Sequence, residues 1–532
     1  MFTQVLEPLG SGWLDAGIAL FPLAVLLVCL AGLRISAWLA VLLCAAVTIA
    51  LAVTVWQAPL DGTLRAYGLG AATGLWSVGW IVFWGLVIYN TLVTMGAFAA
   101  LRDWLVMAAG SDIRVQVLVL AWAFGALLEG LVGFGYPWAV VAPILIGLGM
   151  SDLAALRTAA LGNTAPVSYG ALGAPIIGLA AVTGLPLLEL SAGIGKIVAI
   201  LALAPPLLLV YLVSGREGLR TGWPLAIVAS LGFVAGQLPT SLFLGPYLPA
   251  VIGGFTSLAA VLMFAKVWSP QPLPVGAPSW TADLPTGDRR RELTLAVQAG
   301  LVPIGILVAV VMAWTGPWSP LPRLVALKVS VAAQGSLGTP VTIAFSWAPF
   351  AAGTATLTAW LLILAYLRPS RRQLGRAFRS TLAQMWGALL VAPLIFGLAT
   401  VFNYSGMANT LAATFATLGP FYVVLAPVLG WIAVALSGSA TSSNTLFGAF
   451  QLSVGRLLGV PDLLFPALNS VGAAFGKPIA PQTASVGVST TGQVRREGNI
   501  IRFNLSWTFA LLGYLLLVAL LFSVFLPDVL QV

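Results

Sequence analysis

Apolar residues recur along this chain in unbroken runs of about 20, the length of helix that crosses bilayer hydrocarbon. None shows the alternation of a half-buried strand. The runs fall near 14–33, 36–56, 71–96, 153–185, 190–213, 222–239, 247–267, 294–314, 342–366, 380–403, 461–491 and 503–526. Two further stretches, 115–150 and 420–458, are about double length and are interrupted by small or polar residues. The first break falls at Glu129-Gly130 and Gly133-Phe134-Gly135, the second between Ser437 and Asn444. The pattern predicts an all-α polytopic membrane protein with about twelve transmembrane helices plus two re-entrant hairpins.

Composition agrees and removes other classes. Of 532 residues, 60% are hydrophobic and 7% charged, too little polar surface to cover a soluble fold. There is no His, and Cys29 and Cys44 lie in apolar runs, so no metal site, disulfide framework or cofactor is expected. The acidic residues are scattered and no phosphate-binding GxxxxGK[ST] loop occurs, which argues against a membrane-embedded enzyme and against a self-contained pump.

The net charge of +9 belongs to loops rather than to a nucleic-acid surface. Suppose both long stretches enter and leave on one face. Arg34, Arg102, Arg114, Arg157, Arg216, Arg220, Lys266, Arg289, Arg290, Arg291, Arg368, Arg371, Arg372, Arg376, Arg379, Arg495, Arg496 and Arg502 then share a side. The other side holds Arg65, Arg323, Lys328 and Arg456, while Lys196 and Lys477 fall inside runs. The positive-inside rule places the first group in the cytoplasm and both termini on the outside. Threading each long stretch as one crossing scatters the cations, so charge supports the hairpins. No basic segment precedes the first run, so a cleaved signal peptide is not expected.

The second half repeats the first. Asn163, Gly170 and Pro175 recur with the same spacing as Asn469, Gly476 and Pro481, each set following an interrupted stretch. The division is 1–220 for repeat 1, with hairpin 115–150 and broken helix 153–185, then 221–268 for two linking helices. A cytoplasmic loop at 269–293 leads into repeat 2 at 294–532, with hairpin 420–458 and broken helix 461–491. Each half has an odd number of crossings, so the two are inverted, the recurring design of secondary transporters.

Broken helices beside a polar cavity offer free N–H groups to an anion. Candidate binding residues at the first tip are Gly133, Phe134, Gly135 and Tyr136, and in the first broken helix Asn163, Thr164, Ser168, Tyr169 and Gly170. The second tip offers Ser437, Gly438, Ser439, Thr441, Ser442, Ser443 and Asn444, and the second broken helix Asn469, Lys477 and Gln482. Tight helix packing also uses small residues. Two ionisable groups lie inside the apolar stretches, where charge is costly and points to function. Glu129 is the candidate proton carrier, with hairpin capping as its alternative role. Lys477 is the candidate partner of a substrate carboxylate, with contact to loose carbonyls as its alternative.

LLEGLVGFGYP (127–137), GNTAPVSYGALGAPI (162–176), NYSG (403–406), SGSATSSNTLFGAFQ (437–451) and GKPIAPQ (476–482) resemble the lactate permease family over nearly the whole chain. The resemblance implies proton symport of L-lactate, D-lactate or glycolate across the inner membrane. It also implies elevator-type scaffold and transport domains and a homodimer. Four positions depart from the family. Ala440 stands where an Asp is usual, Tyr136 and Trp138 replace small residues, and Arg157 replaces an uncharged one. Glu129 is then the prominent acidic group, and the aromatic residues admit another small carboxylate or sulfonate, with different ion coupling or a channel-like permease as alternatives.

Overall fold

The computed structural model describes residues 2–33, 35–268, 271, 289–338, 340–494 and 496–530. Arg34, Arg495 and most of the 269–293 loop lie outside them. Helices α1 (Gly12–Leu27), α2 (Ala37–Thr54) and α3 (Leu60–Thr94) open the chain. A short α4 (Ala97–Ala109) precedes α5 (Ile113–Leu131) and α6 (Tyr136–Gly147), which together fill the first interrupted stretch. Next come α7 (Asp152–Gly162), α8 (Gly170–Thr183), α9 (Leu187–Leu201), α10 (Ala204–Phe243) and α11 (Pro249–Val267).

The second half runs through α12 (Arg289–Thr315), α13 (Ala352–Leu367), α14 (Arg371–Ser405) and a short α15 (Met407–Ala416). It continues with α16 (Tyr422–Ser437), α17 (Ala440–Leu457), α18 (Leu464–Gly476), α19 (Pro481–Val488) and α20 (Glu497–Leu520). Among the described residues, 11 helices are long and apolar enough to cross a membrane. One of these spans 57 residues, Leu187–Phe243, far longer than one crossing of about 30 Å needs. Ala202 and Leu203 separate α9 from α10 within it, and Gly215, at φ 67°, breaks α10 again. The chain is therefore a polytopic membrane protein.

Two features escaped the hydropathy pattern. The apolar run expected at 342–366 begins instead with a strand, because Val341–Trp347 (β3) pairs with Leu327–Gln334 (β2) before α13 starts. Phe2–Thr3 (β1) joins β2 in parallel, so a small three-stranded sheet accompanies the helices. Gln4 locks it down. Its buried amide donates to the carbonyls of Asn403 (2.7 Å) and Tyr404 (3.0 Å) and accepts from Asn409 (2.9 Å) and the Ser336 N–H (3.3 Å). The short helices α4 and α15 are the second feature, and each begins after a left-handed glycine, Gly96 and Gly406.

Lipid gives helices no hydrophobic reason to associate, so close packing and interhelical hydrogen bonds must hold them. Helices α3 and α14 show how. They lie antiparallel, with Gly62 against Tyr404, Gly74 against Ala392 and Asn90 donating to Thr381 (3.0 Å) and Gln384 (2.8 Å). A Cβ on Gly74 would lie 2.6 Å from the Ala392 carbonyl oxygen, so only glycine permits this approach. Helix α5, by contrast, is completely buried inside the protein.

Candidate functional site

Four breaks in the helices meet in the interior. Between α5 and α6, Gly133, Phe134 and Gly135 take φ of 68°, 53° and 80°, turning the chain and aiming the start of α6 back inward. Between α7 and α8 lies a 3-10 turn, Ala165–Tyr169, followed by Ala171, Leu172 and Gly173 at φ 47°, 55° and 80°. Left-handed Ala and Leu cost roughly 1–3 kcal/mol each and persist where surrounding structure enforces them. Gly438, at φ 74°, ends α16, and the Ser439 hydroxyl caps α17 by accepting from the Ser442 N–H (3.2 Å). Lys477–Ile479 forms the 3-10 turn between α18 and α19.

At their meeting point Lys477 Nζ donates to Glu129 Oε1 at 2.6 Å, and Asn163 Nδ2 donates to Glu129 Oε2 at 2.9 Å. Glu129 is 1% exposed and Lys477 4%. A buried ion pair of this kind is strongly destabilised when either partner is lost. Gly170 abuts the carboxylate so closely that a Cβ there would collide with Oε1. The freed carbonyls of the breaks are met by side chains: Asn444 donates to Pro175 O (3.0 Å) and Asn504 to Pro478 O (2.8 Å).

A cavity of about 30 Å³ adjoins the pair, room for a water or two. Glu129, Gly133, Phe134, Gly170, Gly438, Ser439, Thr441 and Lys477 line it, together with Val167, Ala171, Pro175 and Ala440. Phe134, Gly438, Ser439 and Thr441 also border a vestibule of about 360 Å³, with Tyr136, Ser437, Ser442 and Gln482. Trp38, Gln384 and Trp386 form its opposite wall. A second vestibule, about 470 Å³, lies under the sheet beside Asn403, Ser453 and Arg456 and shares no wall with the small cavity. The small cavity therefore shares lining residues with the first vestibule and none with the second.

The other expected residues do structural work nearby. Tyr169 donates to Ser191 O (2.6 Å), Thr164 to Leu161 O (2.9 Å), and Ser168 to Ser470 O (3.4 Å). Asn444 and Asn469 hydrogen-bond each other (3.1 Å), and Gln451 donates to Asn469 (3.3 Å). Among the described residues the buried Ser443 hydroxyl has no hydrogen-bond partner, and Gly135 packs on Thr483. Arg157 lies half-buried with its guanidinium 4.1 Å from the Phe503 ring centre. Lys196 donates to Val529 O at 2.5 Å. Sequence reasoning missed the apolar wall of Val167, Ala171, Pro175 and Ala440, for which the Ala-Leu-Gly-Ala-Pro run was the available signal.

A family model described as L-lactate permease matches residues 15–527. The chain belongs to the L-lactate permease family. It is 32% identical to the glycolate permease GlcA of Escherichia coli K12 over 533 residues, 94% of each chain. It is also 32% identical to the L-lactate permease of Bacillus subtilis strain 168 over 546 residues, 96% of each. Among solved structures, the Alcanivorax borkumensis YdaH transporter matches with a TM-score of 0.48 at 17% identity, covering 97% of this chain and all of that one. As a member of that family the chain is a membrane transporter, not an enzyme.

Proposed function

We propose that this permease imports a small 2-hydroxymonocarboxylate (L-lactate, D-lactate or glycolate) by proton symport across the bacterial inner membrane. The observation that carries the proposal is the Glu129–Lys477 pair at the junction of four helix breaks. With Glu129 ionised, Lys477 is neutralised internally and the empty site is uncharged as a whole. A proton taken by Glu129 releases Lys477 Nζ, which then holds the substrate carboxylate beside the α17 N-terminus. The loaded site is again uncharged as a whole. The two half-loaded states carry an unpaired charge in the membrane interior and are disfavoured. Coupling follows from that charge balance alone, and no carboxylate at position 440 is needed.

In this reading α5–α6 and α16–α17 are re-entrant hairpins of two inverted repeats, divided as 1–220 and 294–532, and they move with the broken helices as a transport domain. Helices α3 and α14 belong to a scaffold, in a homodimer with periplasmic termini. The first vestibule is then the cytoplasmic approach and the second, under the sheet, the periplasmic one. Labelled L-lactate uptake into proteoliposomes tests the proposal, with D-lactate, glycolate and short sulfonates as competitors. Competition by the hydroxy acids is expected. Saturable uptake of sulfonates but of no hydroxy acid would replace the substrate class, and single-channel current would replace the transporter mechanism.

A further inference from the structure

Arg157 is a cation without a counter-ion. Among the described residues it makes no hydrogen bond or ion pair, its Nε is buried without a partner, and its guanidinium is stacked on Phe503. The acids on the adjoining segments of α7, α10 and α20 are occupied or solvated. Asp152 accepts from the Gly492 N–H (2.8 Å), Glu497 accepts from Ser485 (3.4 Å), and Glu217 is exposed. Leaving a half-buried arginine unpaired in a membrane protein is costly unless something outside the chain supplies the anion.

The surroundings say what that is. Arg157 lies five residues into α7, which begins at Asp152, so it sits about 7–8 Å below the helix end at 1.5 Å per residue. A long cationic side chain there reaches the headgroup layer. On α20, Asn499, Phe503 and Trp507 recur at helical spacing and so share a face, and Arg496 precedes the helix as its N-cap. Trp507 packs on Tyr211 of α10, with ring centres 5.9 Å apart. Arg216 and Arg220 follow on that helix, both exposed. An unpaired arginine stacked on an aromatic ring, with exposed arginines on the neighbouring helix α10, presents flat donors for a phosphate and apolar rings for acyl chains.

We propose that the surface where α7 meets α10 and α20 binds an anionic phospholipid, with the lipid phosphate on Arg157. The test follows the thermal stability of the purified full-length protein in neutral detergent, with added phosphatidylglycerol, phosphatidylcholine or inorganic phosphate. Phosphatidylglycerol is expected to raise the melting temperature, since a ligand of the folded state stabilises it. Phosphatidylcholine and inorganic phosphate are expected to leave it unchanged. Arg157→Gln should lose most of that rise, Arg157→Lys part of it, and Arg379→Gln, a cation on another helix, none. The proposal is overturned by no rise in the unmodified protein, by equal rises in Arg157→Gln and Arg379→Gln, or by a rise with inorganic phosphate alone. Should Arg157→Gln not purify, Arg157→Lys against Arg379→Gln makes the same comparison.

Discussion

Replacing Glu129 by Gln separates the two halves of the transport cycle. Gln keeps the shape of the protonated carboxyl and its contact with Asn163 but cannot neutralise Lys477, which lies 2.6 Å away and 4% exposed. Breaking a buried ion pair from one side costs about 3–5 kcal/mol. At about 1.4 kcal/mol per factor of ten, that slows return of the empty carrier by roughly two to three and a half powers of ten. A carrier loaded with lactate has the substrate carboxylate beside Lys477 and does not incur this cost. Net uptake driven by a pH gradient should therefore collapse in Glu129→Gln. Exchange of external labelled lactate for internal unlabelled lactate should persist and no longer depend on pH. Proteoliposomes preloaded with or without lactate measure both. Gradient-driven net uptake at the unmodified rate would refute the reasoning, as would loss of exchange in a variant that still folds.

Other expectations concern stability and geometry. Lys477→Met strands the Glu129 carboxylate and should lower unfolding stability by about 3–5 kcal/mol; adding Glu129→Gln should restore most of it without restoring uptake, as thermal unfolding of the three variants would register. Gly170→Ala places a methyl group against Glu129 Oε1 and should reduce uptake about tenfold or more, the effect of weakening the pair by about 1.4 kcal/mol, with little change in expression. Gln4→Ala removes four hydrogen bonds that tie β1 to α14, α15 and the turn after β2. At about 1 kcal/mol each, and with overlap among them, a loss of about 2 kcal/mol is expected in thermal unfolding.

The sequence was readable where a single physical constraint dominates. Bilayer thickness marks most crossings, and clusters such as Gly133-Phe134-Gly135 and Ser437-Gly438-Ser439 mark chain breaks because few other residues turn so sharply. The strand at 341–347 was hidden because Val-Thr-Ile-Ala-Phe-Ser-Trp is as apolar as a membrane helix, and only pairing with β2 assigns it. Glu129 and Lys477 each stood out as intramembrane ions, yet their pairing spans 348 residues of sequence and was not legible. It changes the chemistry: the lysine expected to await a substrate is held by the carboxylate expected to carry the proton. The Ala-Leu-Gly-Ala-Pro run marks a break beside the cavity, but the left-handed backbone of Ala171 and Leu172 could not be read from it, since neither residue favours that conformation.

The charge balance at Glu129 and Lys477 is tested most directly by separating the driving forces. In proteoliposomes holding this protein, labelled L-lactate uptake is followed with a pH gradient alone and with a potassium-diffusion potential alone. One proton accompanying each anion makes transport electroneutral, so the pH gradient should drive accumulation and the potential alone should not. Accumulation driven by the potential at equal pH, or indifference to the pH gradient, would contradict the account.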